Sequence, residues 1–380
     1  VAGRLALLGH SVVVLEQHDR VGKLACCTGI VGRECLETFP VATESVLRGS
    51  RSARFFPPSS RPFSLEKETV QAYVLDRPAF DAAMARRSAD SGAEYLLGCK
   101  VTDVVAAEDR VRVAFQTGGH ADELQGRAAV ITSGFGSKLP RRLGFGRTAD
   151  FVMGAQAEVS APGLDQVEVH FGSHVAPGFF AWLVPTAPGK ALAGLLSRSH
   201  TGRRLRAFLD SLAGQGRIAS AEVNVVYGGI PLRPLPHTSA ARIVVVGDAA
   251  GQVKPTTGGG IYYGLLCAEI AADVLHRAIC SNDLSSQTLR EYDRRWHGLL
   301  SRELQIGRWS RWLFERLNDR QIDRLFQMVQ EPGFREALLT SADFSFDWHS
   351  RLVVRGLRRF GLRSVFSMAW LSAFRRDRAR

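Results

Sequence analysis

Short, wholly apolar runs ending at small-residue turns recur through the first 250 residues of this 380-residue chain. "VAGRLALLG" has apolar residues three apart, Leu5 and Leu8, and a glycine at its end, which predicts a helix stopped at Gly9. "SVVVLE" follows as an apolar strand closed by Glu16, and "IVVV" from Ile243 reads the same way, as in a parallel sheet covered on both faces. "LDRPAFDAAMARRSADSG" predicts a helix with Asp76 as its cap, Pro78 in its first turn and Gly92 after its end. After it, "AEYLLGCKVTDVV" and "RVRVAF" read as strands of a meander. Between residues 150 and 240 the runs alternate, broken by Gly and Pro, as in an antiparallel sheet. "IYYGLLCAEIAADVLHRA" predicts a helix with Ile261, Leu265, Ala268, Ala272 and Leu275 along one face. Helical spacing continues from 285 onward.

The composition is that of a globular protein with ample core, 45% hydrophobic and 23% charged. Charge adds a feature that periodicity does not show. The net charge is +12, and the last thirty residues hold nine arginines against one aspartate, interleaved with Leu, Val, Phe and Trp370. That pattern fits an interfacial helix on an anionic membrane surface, or equally a core-packed helix with basic flanks. No binding motif accompanies it that would point to nucleic acid. The six cysteines, at 26, 27, 35, 99, 267 and 280, form no CxxC pair and no disulfide framework, which favours a reducing, cytoplasmic compartment. No apolar run reaches the ~18–20 residues that span a bilayer. The chain opens at Val1 in mid-motif, and the expectation is a truncated N-terminus.

Candidate chemistry gathers at the strand ends. A helix, a turn, a buried strand and a terminal acid form the second half of a Rossmann-type unit, in which Glu16 would accept hydrogen bonds from adenosine ribose hydroxyls. The first strand and its GxGxxG turn would precede Val1. "IVVVGDAAGQVKPTTGGGIYYG" repeats the theme, with Asp248 at a strand end, small residues for close approach, and Gly258, Gly259, Gly260 and Ile261 exposing free N–H groups at a helix start. Such an N-terminus, aimed at the N1–C2=O edge of a flavin, would favour the anionic reduced ring, while Asp248 would hold the ribityl chain. Arg77 could reach a pyrophosphate, or be a solvated surface charge. "CCTG" at 26–29 makes a small-residue turn that either packs on a cofactor or buries two small hydrophobes.

Taken in order, "VVVLE", "CCTGIVG", "LDRPAFD", "PGFFAWLVP" and "GDAAGQVKPTTGGGIYYG" resemble the geranylgeranyl reductase family of flavoproteins, within the class having the para-hydroxybenzoate hydroxylase type of FAD fold. The resemblance runs to about residue 285. It implies FAD contacts from Glu16, Cys26, Cys27, Gly29, Arg77, the backbone near Val101, Asp248, Gly260 and Ile261. Related aromatic hydroxylases usually carry His after "GDAA"; Gly251 stands there, which favours the reductase branch. The second FAD signature is represented only by "AAVITSGFGSKLPRR", with Gly134 and Ser137 in its place.

The resulting expectation is an α/β fold with three parts. A Rossmann-like FAD-binding domain would comprise 1–48, 76–148 and 241–284. An antiparallel-sheet substrate domain would comprise 49–75 and 149–240, and a basic helical region 285–380. Phe179, Phe180, Trp182 and Pro185 would line a substrate tunnel suited to a prenyl chain, or serve as sheet core. The expected reaction is reduction of carbon–carbon double bonds in a polyprenyl lipid by hydride from reduced FAD. Cys26, Cys27 or Tyr262 would supply the proton, and NAD(P)H or a reduced carrier protein the electrons. A flavin monooxygenase, a quinone-linked electron carrier and a non-enzymatic lipid- or partner-binding remnant of the fold are the rivals. No metal is called for.

Overall fold

The computed structural model describes residues 1–23, 26–340 and 345–350. The basic tail at 351–380, and with it the expected interfacial helix, lies outside the described residues.

The chain opens with a short helix, α1 (Ala2–Leu7), which Gly9 ends at φ 83°. The strand β1 (Val12–Glu16) follows. Next come β2 (Ile30–Gly32), α2 (Arg33–Thr38), β3 (Val46–Ser50), β4 (Ser52–Phe56), β5 (Phe63–Glu66) and β6 (Ala72–Leu75). The Asp76 carboxylate caps α3 (Arg77–Asp90) by accepting from the Ala79 N–H at 3.0 Å, satisfying one of the helix's free donors. Then follow β7 (Ala93–Leu97), β8 (Lys100–Ala106), β9 (Val111–Thr117), β10 (His120–Gly126), β11 (Ala129–Ile131) and the single turn α4 (Leu139–Arg142).

The second stretch is β12 (Phe151–Ser160), β13 (Val167–His170), β14 (Ala181–Pro185), β15 (Lys190–Ser197), α5 (Thr201–Gly214), β16 (Val225–Pro231), β17 (Ser239–Ala240) and β18 (Ile243–Val245). The helices α6 (Ile261–Cys280), α7 (Ser286–Phe314), α8 (Asp319–Gln330) and α9 (Pro332–Thr340) complete it.

Two parallel pairs form the Rossmann-like part: β1 with β7, and β11 with β18. The run Ala93–Leu97 therefore belongs beside β1. The meander expected there begins only with β8 and consists of β8, β9 and β10. The reason is the apolar face of α3: Phe80 is buried, and the helix returns the chain beside β1, as a parallel crossover requires.

The large sheet has seven strands in the order β16-β12-β15-β14-β13-β4-β5. It is antiparallel throughout except where β13 runs parallel to β4. The segment joining it from the first stretch is narrower than residues 49–75, because β3 and β6 pair with each other, and β6 also pairs with β2. The strand pattern of 150–240 conceals α5, whose Leu205, Phe208, Leu209 and Leu212 bury one face against β12 and β15.

The largest apolar core lies where α6 and α7 meet the first stretch. Tyr292 and Trp296 of α7 are wholly buried in it. Their polar atoms are satisfied: the Trp296 Nε1–H donates to Thr238 Oγ1 at 2.8 Å and the Tyr292 hydroxyl to the Val245 carbonyl at 3.0 Å. That second bond ties α7 to β18, immediately before Asp248.

Candidate active site

The turn after β18 is built by side-chain bonds from neighbouring elements. Gln252 Oε1 accepts the Gly247 N–H at 2.8 Å, and Gln252 Nε2 donates to the Tyr292 hydroxyl at 2.9 Å. Gly247 takes φ 73° and Gly251 φ 75°, conformations that a side chain would strain. Asp248 then lines a large cavity. Burial raises its pKa, and the nearby Arg77 opposes that rise.

Arg77 is fixed by a two-nitrogen pairing with Asp81 one helical turn on, at 3.1–3.2 Å. Burial pulls its pKa down, but its contacts with Cys27 and Asp81 raise it more, so the guanidinium stays charged.

Residues 254–260 fold back on themselves. The Gly258 N–H donates to the Lys254 carbonyl at 2.9 Å and the Lys254 N–H to the Gly259 carbonyl at 3.1 Å. The helix α6 begins at once after Gly260, with no side chain capping it. A Cβ on Gly260 would come within 2.5 Å of Asp248 Oδ1, so glycine is what lets the carboxylate and the helix start share this space. Uncapped N–H groups at the cavity wall beside an enclosed carboxylate fit a flavin with its sugar-alcohol chain.

The loop at 26–29 rests on the large sheet. Thr28 Oγ1 donates to Gln156 Oε1 of β12 at 2.8 Å, and a Cβ on Gly228 of β16 would sit 3.2 Å from Cys26 Cβ. The Cys27 Sγ accepts the Gly29 N–H at 3.4 Å. Gly29, at φ 72°, lies so close to the Leu75 carbonyl that a Cβ would approach its oxygen to 2.3 Å. Burial, with Cys27 beside it, pushes the Cys26 thiol up to about 11, so it is protonated at neutral pH.

One cavity of about 2730 Å³ joins these parts, well beyond the roughly 300–1,000 Å³ of an ordinary small-molecule pocket. Its walls include Glu16, Cys26, Cys27, Gly29, Arg77, Val101, Asp248 and Gly258 through Ile261, together with Gly134 and Ser137. Glu16 Oε1 accepts from the His18 N–H at 2.9 Å and lies 2.6 Å from His18 Nδ1. The α6 face that carries Ile261, Leu265, Ala268 and Leu275 borders this space while packing on the core. Farther along, the wall turns apolar and aromatic, with Phe55, Phe171, Phe180, Trp182 and Phe314.

Three residues expected at the site lie elsewhere. Tyr262 is off the cavity wall, edge-on to Phe39 and Trp348 in the α6–α7 core, because it sits about 100° around the helix from Ile261. Phe179 is buried behind the wall under Arg311, whose guanidinium lies 4.6 Å from its ring. Pro185 is buried at the end of β14 and does not reach the cavity.

The sequence reading missed a second polar group beside the glycine turn. Lys254 Nζ pairs with Asp347 Oδ1 at 2.6 Å, both side chains being almost wholly buried. His349, on the cavity wall, lies 2.6 Å from Thr256 Oγ1 through Nδ1 and 2.8 Å from the Phe346 carbonyl through Nε2. A carbonyl only accepts, so the proton sits on Nε2 and Nδ1 accepts from Thr256. Arg311 of α7 spans the same region, donating to the Pro255, Thr256 and Gly178 carbonyls. Lys254 inside an otherwise apolar and glycine-rich motif was the one visible signal; its partner lies 93 residues away.

Burial, reinforced by Lys254, lowers the His349 pKa to about 4. The unfolded imidazole, near 6.5, takes up a proton that the folded one refuses. Stability is therefore full above about pH 6.5 and falls as the pH drops toward 4, by roughly 2 kcal/mol at pH 5 from this group. Urea midpoints measured at pH 7 and pH 5 should show that loss, and His349→Gln should remove most of it.

Residues 65–331 match the family model described as lycopene cyclase protein. The chain is 30% identical to digeranylgeranylglycerophospholipid reductase 2 of Methanothermobacter thermautotrophicus over 336 residues, covering 86% of this chain and 87% of that protein. It is 27% identical to the digeranylgeranylglycerophospholipid reductase of Methanosarcina acetivorans, covering 87% and 85%. Its fold resembles the crystal structure of a geranylgeranyl bacteriochlorophyll reductase-like protein from Thermoplasma acidophilum, with a TM-score of 0.81 and 22% identity over 94% of this chain and 95% of that one. It is less like the p-nitrophenol 4-monooxygenase of Pseudomonas putida, with a TM-score of 0.68 and 15% identity over 89% and 92%. The chain belongs to the digeranylgeranylglycerophospholipid reductase family of FAD-dependent oxidoreductases, inside the wider group that the lycopene cyclase model matches.

Proposed function

We propose that this chain reduces carbon–carbon double bonds in the prenyl chains of a lipid, with FAD held along the Glu16–Arg77–Asp248–Gly260 side of the cavity. The single observation that carries the reading is continuity: the polar, glycine-lined part and the aromatic part are walls of one cavity. A prenyl chain offers almost nothing to hydrogen-bond, so an apolar wall leading to the cofactor is the arrangement its recognition needs. The relatives named above act on a digeranylgeranylglycerophospholipid, which supports a lipid of that class here.

The chemistry that bound FAD supplies is hydride delivery to one alkene carbon. The protein's part is to position, to exclude water and to deliver the balancing proton to the other carbon. Asp248 would hold the ribityl chain, and the N–H groups at the start of α6 would stabilise negative charge on the ring. Phe180 and Trp182 hold the chain and keep water from the reacting carbons. Cys26, a protonated thiol facing the cavity, is the proton donor. Electrons enter from NAD(P)H or a reduced carrier protein. The basic tail, by its charge, suits an anionic membrane where such lipids reside.

The test is an anaerobic titration of flavin-loaded protein. Reduced flavin should be reoxidised by a geranylgeranyl phospholipid, with two hydrogens gained per event. A flavin that stays reduced until air enters would move the reading to a monooxygenase. Replacing Cys26 and Cys27 together by Ala should slow the lipid-dependent reoxidation about 100-fold, the range of a general acid's contribution, while leaving flavin reduction by dithionite unchanged. Unchanged reoxidation removes both cysteines from the proton-transfer role.

A further inference from the structure

Away from the wall that carries Asp248, three soft ligands converge at the far end of α6. His276 and Cys280 stand one helical turn apart, so their side chains project from the same face. His10 reaches the same point from the link between α1 and β1, because Gly9 before it takes the left-handed conformation, φ 83°, that turns the chain back. His10 Nε2 lies 2.8 Å from His276 Nδ1, and Cys280 Sγ lies 3.8 Å from the same nitrogen. Taking one ligand atom from each residue, all three fall within 4.8 Å of one another. The two imidazoles are partly buried and Cys280 is exposed, so the cluster is open to solvent on one side.

We propose that His10, His276 and Cys280 form a binding site for a divalent transition metal of the zinc class. Two imidazole nitrogens and one thiolate are the donors that such an ion prefers over the oxygen ligands of calcium or magnesium. Bond lengths of ~2.0–2.1 Å to nitrogen and ~2.3 Å to sulfur set tetrahedral ligand-to-ligand spacings of about 3.3–3.6 Å. The present separations straddle that range, and small side-chain rotations reach it without moving the backbone. The exposed side leaves the fourth position to water. Binding converts the Cys280 thiol to a thiolate and releases one proton to solvent, with no change of oxidation state. Arg127, which also faces His10, spends a guanidinium nitrogen on the Ile279 carbonyl and Asn282 Oδ1 and so is held by groups outside the ligand set. The consequence is a clamp between the α1–β1 link and α6, two elements that both border the large cavity.

Cobalt(II), added to the reduced, flavin-free full chain, reports the site directly, because a thiolate ligand gives a charge-transfer band in the near ultraviolet. The band should appear at one equivalent, be displaced by zinc, and disappear in Cys280→Ser and in His276→Ala. His10→Ala should weaken binding while leaving the band's position unchanged. Circular dichroism of each variant should match the parent, since none of the three side chains carries core packing. A band that survives Cys280→Ser arises at Cys26 or Cys27 and overturns the proposal, as does the absence of any band at one equivalent.

Discussion

Purified Gly260→Val protein is expected to retain no FAD. The added Cβ would meet Asp248 Oδ1 at 2.5 Å, and the branch beyond it would enter the space before α6 where the cofactor's ring is proposed to lie. Asp248→Ala separates the two contributions, because it removes the carboxylate and leaves the glycine turn intact. A hydrogen bond to a charged group is worth about 1.5–3 kcal/mol, so FAD affinity should fall about 10- to 150-fold in that variant. Removing the carboxylate also removes its desolvation cost, so the fold itself should be unharmed or slightly stabilised. Flavin absorbance after gel filtration, with the apoprotein's unfolding curve as control, checks both. If Gly260→Val keeps a full complement of FAD with its usual spectrum, the cofactor does not lie along this turn.

The second large effect concerns stability. Lys254→Met should destabilise the protein by about 3–5 kcal/mol, because it leaves Asp347 charged, buried and without its cation. Asp347 already has one oxygen, Oδ2, without a hydrogen-bond partner, and a Cβ on Gly32 would lie 2.2 Å from it. The double variant Lys254→Met, Asp347→Leu should recover most of the loss, since a buried pair replaced by apolar groups of similar volume is often neutral. Denaturant unfolding of the two variants and the parent measures this. A Lys254→Met loss below about 1 kcal/mol would mean that the pair is solvated in solution. The same pair holds residues 345–350 against the glycine turn, so flavin affinity of the double variant also reports whether that turn needs the clasp or only tolerates it.

The local structures that depend on near neighbours were legible in the sequence. Asp76, Pro78 and Gly92 bound α3 because capping, a preset φ and a left-handed residue are decided within one turn. Glu16 stands at the end of β1 and Asp248 in the turn after β18 because an apolar run followed by a turn leaves them nowhere else, and the glycines before Ile261 mark an uncapped helix start for the same reason. The resemblance to the geranylgeranyl reductase family also rests on these short motifs, and the family relationship agrees with it.

Tertiary structure alone decided the rest. Which strands pair is a matter of crossover and face burial, so Ala93–Leu97 could be read as a strand but not assigned to β1. Which of the expected lining side chains face the cavity depends on one residue of phase: Phe180 and Trp182 line it while Phe179 and Pro185 are buried off it. Tyr262 lost its expected place because one step along a helix rotates a side chain by about 100°. The pairs Lys254–Asp347 and Thr256–His349 each join residues 93 apart, and His10 meets His276 across 266. No periodicity carries information over such distances. Those contacts exist because burying the faces of α6 and α7 brings distant backbone together, and a buried polar group must then find its partner wherever the packing has placed one.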